Sequence, residues 1–179
     1  METSEKKKGS MDMQAMMEAY AKFGRPGAQH KMLESMAGSW ETKVKTWPEP
    51  GMPPMESTGS SQAKMIMGGR FLQEEFKGEM MGTPFGGLGI TGYDNHSKKF
   101  ESIWLDSSST SILLFMGPAS QDNKTIIMDC SHDDAVRGPM KWRSITRFID
   151  ANKHIFEMYN TVQSGKEVKS MEITYTRRI

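Results

Sequence analysis

Residues 140–150 read Met-Lys-Trp-Arg-Ser-Ile-Thr-Arg-Phe-Ile-Asp. After the turn formers Ala151 and Asn152, residues 153–162 read Lys-His-Ile-Phe-Glu-Met-Tyr-Asn-Thr-Val. In the first segment Trp142, Ser144, Thr146 and Phe148 share one side of an extended chain. Lys141, Arg143 and Arg147 lie on the other, which should be wet. Two alternating runs joined by two turn residues make an antiparallel hairpin. Working outward, the same texture covers most of the chain. Strands are expected at Ser39–Pro48, Ser57–Met67, Arg70–Met80, Phe85–Asp94, Lys99–Ser107, Thr110–Pro118, Lys124–His132, Met140–Asp150, Lys153–Val162 and Glu167–Arg178. The joints carry turn chemistry: Gly68-Gly69, Asp94-Asn95-His96-Ser97, Asp122-Asn123 and Ser164-Gly165. Links this short force antiparallel neighbours, because a parallel pair needs a long crossover. A meander of this length either closes or leaves open edges. The expected fold is therefore mainly β: a closed antiparallel up-and-down barrel of about eight to ten strands.

The chain divides into a tail over residues 1–10, expected to be disordered, a helical segment over 11–37 and the barrel over 38–179. The first helix should run from Met11 to Phe23, with an apolar stripe at Met13, Met16, Met17, Tyr20 and Phe23. Gly24 and Pro26 stop it. A second should run from Gly27 to Ala37, with Gly38 as a left-handed cap. Over 179 residues, 23 basic and 22 acidic side chains nearly cancel. That balance gives no electrostatic reason for a nucleic-acid partner. No stretch has the length of a transmembrane helix. The polar start lacks the apolar segment of a secretory signal, so the cytoplasm is the expected compartment, or the periplasm if a leader has been removed. The single cysteine, Cys130, excludes an internal disulfide.

Several motifs carry a resemblance. Gly38-Ser39-Trp40 entering the first strand, with Arg177 or Arg178 ending the last, is similar to the calycin pattern of lipocalins and related barrels. In that group the Trp closes one barrel end and the Arg packs across its ring. Further matches are His30-Lys31-Met32-Leu33, Met67-Gly68-Gly69-Arg70-Phe71-Leu72, Pro84-Phe85-Gly86-Gly87-Leu88-Gly89, Gly92-Tyr93-Asp94-Asn95 and Trp104-Leu105-Asp106-Ser107 with Thr110. Together, over Pro26 to Arg178, these resemble the bacterial domain-of-unknown-function 1579 family, whose expected fold is a lipocalin-like barrel. The resemblance implies that fold and brings no activity. On it, Trp40 and Arg177 are the expected barrel-closing pair.

Candidate site residues come from the strand faces. Arg70, Leu72, Glu74 and Phe76 share one face, and Phe100, Ser102, Trp104 and Asp106 another. With Trp142 and Ser144 they mix aromatics and polar groups, as the wall of a ligand pocket does. The expected cavity-lining set is Arg70, Leu72, Glu74, Phe76, Tyr93, Trp104, Asp106, Trp142 and Ser144. Arg70 and Glu74 are spaced to pair inside the barrel. The glycines Gly82, Gly86, Gly87, Gly89 and Gly92 suggest barrel bends, or at Gly86 and Gly87 a ligand against the backbone. Gly87-x-Gly89-x-x-Gly92 matches the dinucleotide spacing but lacks the following helix.

The function expected is binding of a small apolar or amphipathic molecule in the barrel. The alternatives are a lipid-type isomerase or cyclase using Tyr93, Asp106, Arg70 and Glu74, and a protein-interaction module, including a homodimer, using the Met-rich first helix. An enzyme is the lesser expectation. No nucleophile elbow follows from Ser107-Ser108-Ser109, and Cys130 reads as a buried hydrophobe. The four histidines, His30, His96, His132 and His154, show no metal-ligand spacing, and the segment Asp129–Asp134 lacks the calcium-loop pattern. The 18 methionines, Met11, Met13, Met16, Met17, Met80 and Met81 among them, raise copper(I) only weakly, with no sustained Met-x-Met repeat. No cofactor is expected. Haem is the one alternative, since some ten-stranded calycin-like barrels bind it through a C-terminal His, and His154 is the nearest candidate.

Overall fold

The structure is a computed structural model describing residues 12–120, 124–134, 137–161 and 165–178. The expected tail over 1–10, the helix start at Met11, the strand end at Val162 and the turn residues Asp122, Asn123 and Ser164 lie outside the described residues. Two helices, α1 (Met13–Phe23) and α2 (Ala28–Glu34), precede ten strands. The strands are β1 (Gly38–Thr46), β2 (Met55–Ile66), β3 (Phe71–Met80), β4 (Thr83–Asp94), β5 (Lys99–Asp106), β6 (Leu113–Pro118), β7 (Thr125–Asp134), β8 (Gly138–Asp150), β9 (Lys153–Thr161) and β10 (Glu167–Arg177). Each strand pairs antiparallel with the next, and β1 pairs with β10 to close the barrel, from Trp40 opposite Arg177 to Thr46 opposite Met171.

Two turns differ from expectation for a local reason. β3 and β4 meet in a two-residue turn, Met81-Gly82, with φ of 53° and 77°. Positive φ at both central residues matches the right-handed twist of the strands. The hairpin therefore starts β4 earlier than the expected Phe85, and Gly82 is a turn residue rather than a bend within a strand. Gly38 also has a positive φ, 129°, but as the first residue of β1, because α2 already ends at Glu34. A side chain at Gly38 would meet the Arg177 guanidinium, whose Nη1 lies 2.4 Å from the position of a Cβ.

α2 plugs one end of the barrel. Leu33 is fully buried there and joins Leu72, Tyr93, Phe100, Phe115, Ile126, Met128 and Cys130 in the main core. His30 is buried with it, accepting the Gly27 N–H at 3.0 Å and meeting Tyr93 edge-on. Trp40 donates its indole N–H to the Met36 carbonyl at 2.8 Å. Arg177 lies 4.1 Å over the Trp40 ring and donates to the carbonyls of Ala37, Ser35 and Ala151. One guanidinium thus ties the last strand, the helix-to-strand link and the β8–β9 turn together at this end, with a cation–π contact beneath.

The seam between β6 and β7 is the thinnest part of the wall. Its ladder is the pair Met116–Asp129, with an adjoining bridge between Ala119 and Ile126. The backbones approach closely at Gly117, where a Cβ would fall 1.9 Å from the Ile127 carbonyl oxygen. On the outer face of β8–β10, Glu157 accepts from Arg147, Tyr159 and Lys169, and Lys169 also reaches Glu172 at 2.8 Å. These bonds hold the Glu157 carboxyl below its ordinary range despite its burial.

Candidate functional site

The inner face is sealed at one end and open toward the other. At the α2 end, Trp40, Ser61, Leu72, Tyr93, Phe100, Phe115, Ile126, Thr146, His154 and Tyr175 are buried. Along the same inward rows toward the opposite rim, Val44, Phe85, Trp104, Asp106, Trp142, Phe156, Met158, Asn160 and Met171 keep partly accessible surface. Inward residues of a solid core are close-packed and lose that surface. Retained here, it describes a cup whose floor is aromatic and whose mouth is the rim away from α2. That rim carries exposed apolar side chains: Met52, Met81 and Ile112.

One wall of the cup is polar. Glu74, on β3, accepts a hydrogen bond from the Ser61 hydroxyl at 2.7 Å and another from the Tyr175 phenol. Its strand neighbours are Ala63 on β2 and Gly89 on β4, and the Trp104 ring lies over Gly89. Burial pushes the Glu74 carboxyl up, more than the two hydroxyls pull it down, and no cation is paired with it among the described residues. The Tyr175 phenol is raised as well, first by burial and then by that carboxyl. Thr42, on β1 opposite Tyr175, has a buried hydroxyl with no hydrogen-bond partner. An orphaned buried hydroxyl costs stability unless something else pairs with it.

The wall beside it, on β4 and β5, is aromatic. Trp104 lies flat against β4, where a Cβ on Gly87 would come within 2.2 Å of its ring and one on Gly89 within 3.3 Å. The glycine row of β4 therefore accommodates the protein's own indole, which corrects the idea of a ligand resting on Gly86 and Gly87. The Trp104 N–H donates to Asp106 at 3.0 Å, and Asp106 also takes the Ser108 N–H and hydroxyl. Trp142 faces His132 across 5.7 Å nearer the rim.

Of the expected cavity residues, Leu72, Glu74, Phe76, Tyr93, Trp104, Asp106, Trp142 and Ser144 all lie on inward rows. Arg70 does not. It sits in the turn before β3, exposed, with its guanidinium bonded to the Met67 carbonyl at 3.1 Å. The chain between Met67 and Arg70 is spent on a turn with positive φ at Met67, Gly68 and Gly69, so the strand begins one residue later. The expected Arg70–Glu74 pair is therefore absent. The four groups offered for catalysis are also dispersed. Glu74 is engaged with Ser61 and Tyr175, Asp106 with Trp104 and Ser108, Tyr93 packs against Phe100, and Arg70 is outside. Ser61, Thr42 and Tyr175 belong to the site and were missed. The alternation Trp40–Thr42 and Ile173–Tyr175 in the first and last strands carries the signal.

His154 is 3 % exposed on the floor. Its ring stacks on Tyr175 at 4.3 Å and meets Trp40 edge-on at 4.5 Å, with Phe148 beyond. Burial, then the Arg177 charge, lowers its pKa to about 4. A haem ligated by His154 does not fit this arrangement, because protein rings occupy the space a porphyrin would need. Cys130 is buried and its thiol is pushed up by burial, which makes it inert. No group of three or more His, Cys, Asp or Glu side chains forms a metal-binding cluster among the described residues. Among those residues, too, no helix is long and apolar enough to cross a membrane.

The signature of a family described as "Protein of unknown function (DUF1579)" matches residues 25–177. The chain belongs to this family. No curated protein matches the sequence. Among solved structures, the DUF1579 barrel is similar to Rv2717c from M. tuberculosis, with 14% identity and a TM-score of 0.58 over 87% of this chain and 100% of that one. It is also similar to the S-type phycobiliprotein lyase CPES from Guillardia theta, with 13% identity and a TM-score of 0.57 over 89% and 97% of the two chains. At such identities these likenesses speak to the fold alone.

Proposed function

We propose that this DUF1579 protein binds one small amphipathic molecule in the cup. The ligand enters by the rim away from α2, with its polar end on Glu74, Ser61 and Tyr175 and its apolar body between Trp104, Trp142 and Phe156. The observation that carries this reading is the graded inner face: sealed at the α2 end, partly accessible beyond it, with a carboxyl and hydroxyls on one wall. Ligand sites combine such an apolar lining with a few placed polar groups. The Thr42 hydroxyl supports the reading, since a bound polar atom would relieve it. The exposed Met52, Met81 and Ile112 offer an apolar lip to a ligand leaving water.

Native mass spectrometry of freshly purified protein should show a co-purifying mass. Titration with an apolar fluorophore such as anilinonaphthalene sulfonate should saturate at one equivalent per chain and quench tryptophan emission. Phe156→Trp, which fills the cup, should abolish saturable binding while leaving the circular dichroism spectrum intact. Glu74→Gln should change affinity by about tenfold, the worth of one hydrogen bond to a charged or strongly polar group. A spectrum free of added mass, together with no saturable fluorophore binding, would end the proposal.

A further inference from the structure

A second feature lies outside the barrel and is independent of the cup. α1 is amphipathic, yet none of its residues is buried. Its stripe of Met13, Met17, Tyr20 and Phe23 stands in solvent. It lies at the α2 end, so it does not cover the mouth of the barrel. Beside its last turn is an apolar groove of about 610 Å³ on the outer wall, whose lining includes Phe23, Phe71, Ile90, Ile103, Leu114 and Met116. Ile90, Ile103 and Leu114 stand opposite one another on β4, β5 and β6. They form a straight apolar row across these three strands, flanked by Phe71 and Met116.

We infer that α1 of one molecule lies in this groove on a second copy, and that the exchange is reciprocal. The helix cannot fill its own groove as it stands. The Asn95 side chain donates to the carbonyls of Phe23 and Arg25, at 2.7 and 2.9 Å, and the Phe23 ring meets His96 edge-on. These contacts fix the base of α1 at the groove's rim, with Phe23 on its edge and Met13, Met17 and Tyr20 left exposed. The two surfaces match in length: eleven helical residues span ~16 Å, and the groove from β3 to β6 crosses ~14 Å.

The areas match what a dimer needs. Met13, Met17, Tyr20, Phe23, Phe71, Leu114 and Met116 are 40–73% exposed. At ~200 Å² for each such residue, this is roughly 800 Å² of apolar surface per molecule, matching the ~800 Å² per partner of a standard specific interface. A monomer rarely leaves so large an apolar patch open. Because helix and groove belong to one chain, a two-fold axis satisfies both at once, which is the isologous arrangement most homodimers adopt.

Sedimentation velocity on the full chain at micromolar concentration should show a dimer. Tyr20→Glu on the helix and Leu114→Glu in the groove should each weaken dimerisation by at least ~10-fold. Both positions are exposed, so the circular dichroism spectra of the two variants should match the parent. Mixing the variants should partly restore a dimer, since the unaltered helix of one still meets the unaltered groove of the other. A parent protein that stays monomeric overturns the inference, whether its helix is free, folded back or bound to lipid vesicles. A dimer that Leu114→Glu leaves intact overturns it equally.

Discussion

Lowering the pH should loosen the floor of the barrel through a single imidazole. His154 is buried among Tyr175, Trp40 and Phe148, and its pKa falls from 6.5 to about 4. Burial penalises the imidazolium, and the Arg177 charge at the same end adds repulsion. A group whose folded pKa is depressed stabilises the fold fully above its unfolded value. That contribution disappears as the pH falls through the folded value. The fall from 6.5 to about 4 corresponds to ~3.4 kcal/mol in total, of which ~2 kcal/mol is lost between about pH 7.5 and about pH 5. Glu74 titrates with the opposite sign. Its raised carboxyl stabilises below the ordinary carboxylate range and loses that contribution as the pH rises. The clean readout is therefore a difference. Urea unfolding followed by circular dichroism should be compared for the parent and His154→Phe at several pH values. Phe keeps a ring in the stack and removes the proton site, and the Glu74 contribution cancels. The parent should lose ~2 kcal/mol relative to the variant over that range. A difference that stays flat with pH would refute the argument that His154 folds neutral.

Two further outcomes follow from the ends and the seam of the barrel. Arg177→Met removes three carbonyl partners and the contact over Trp40, and should cost ~2–3 kcal/mol in urea unfolding, with Arg177→Lys recovering only part because it has no fork of donors. Gly117→Ala places a methyl against the Ile127 carbonyl and should cost ~2–3 kcal/mol with faster amide exchange in β6 and β7, whereas Gly86→Ala, with its nearest neighbour at 3.9 Å, should be nearly neutral.

The barrel was legible because its signals are local. Period-two alternation and short turns determine antiparallel order, and Trp142 pairs with Asn160 and Ser144 with Met158, a bulge between Phe148 and Asp150 shifting the β8–β9 register by one residue from the Asp150–Lys153 pair at the turn. What was less legible depends on where the chain stops being regular. Arg70 alternates correctly with Leu72 and Glu74, but the left-handed residues before it place it in a turn. Alternation predicts a side and says nothing about whether the strand has begun. The Glu74 partners were hidden for another reason. Ser61 and Tyr175 come from β2 and β10, and only closure of β1 on β10 brings Tyr175 beside β3. The helix stripe was correctly placed on α1, yet periodicity alone implies a buried face, and here that face has no partner within the chain.

The division of the molecule into two ends bears on both proposals together. Trp40, Arg177, His154 and α2 close one end with packed rings and carbonyl hydrogen bonds, so exchange of a ligand has to use the opposite rim. The groove beside α1 opens on the outer wall toward the closed end, where Phe71, Gly92 and Asn95 lie. A second copy seated there leaves Met52, Met81 and Ile112 at the mouth uncovered. Ligand stoichiometry should then be one per chain in both the parent and Leu114→Glu, with equal affinity. Coupling between the two would require the β4–β6 wall to change shape on dimerisation. That wall holds Trp104 against Gly87 and Gly89 on its inner side, so the first sign of such coupling would be a shift in Trp104 emission on dilution.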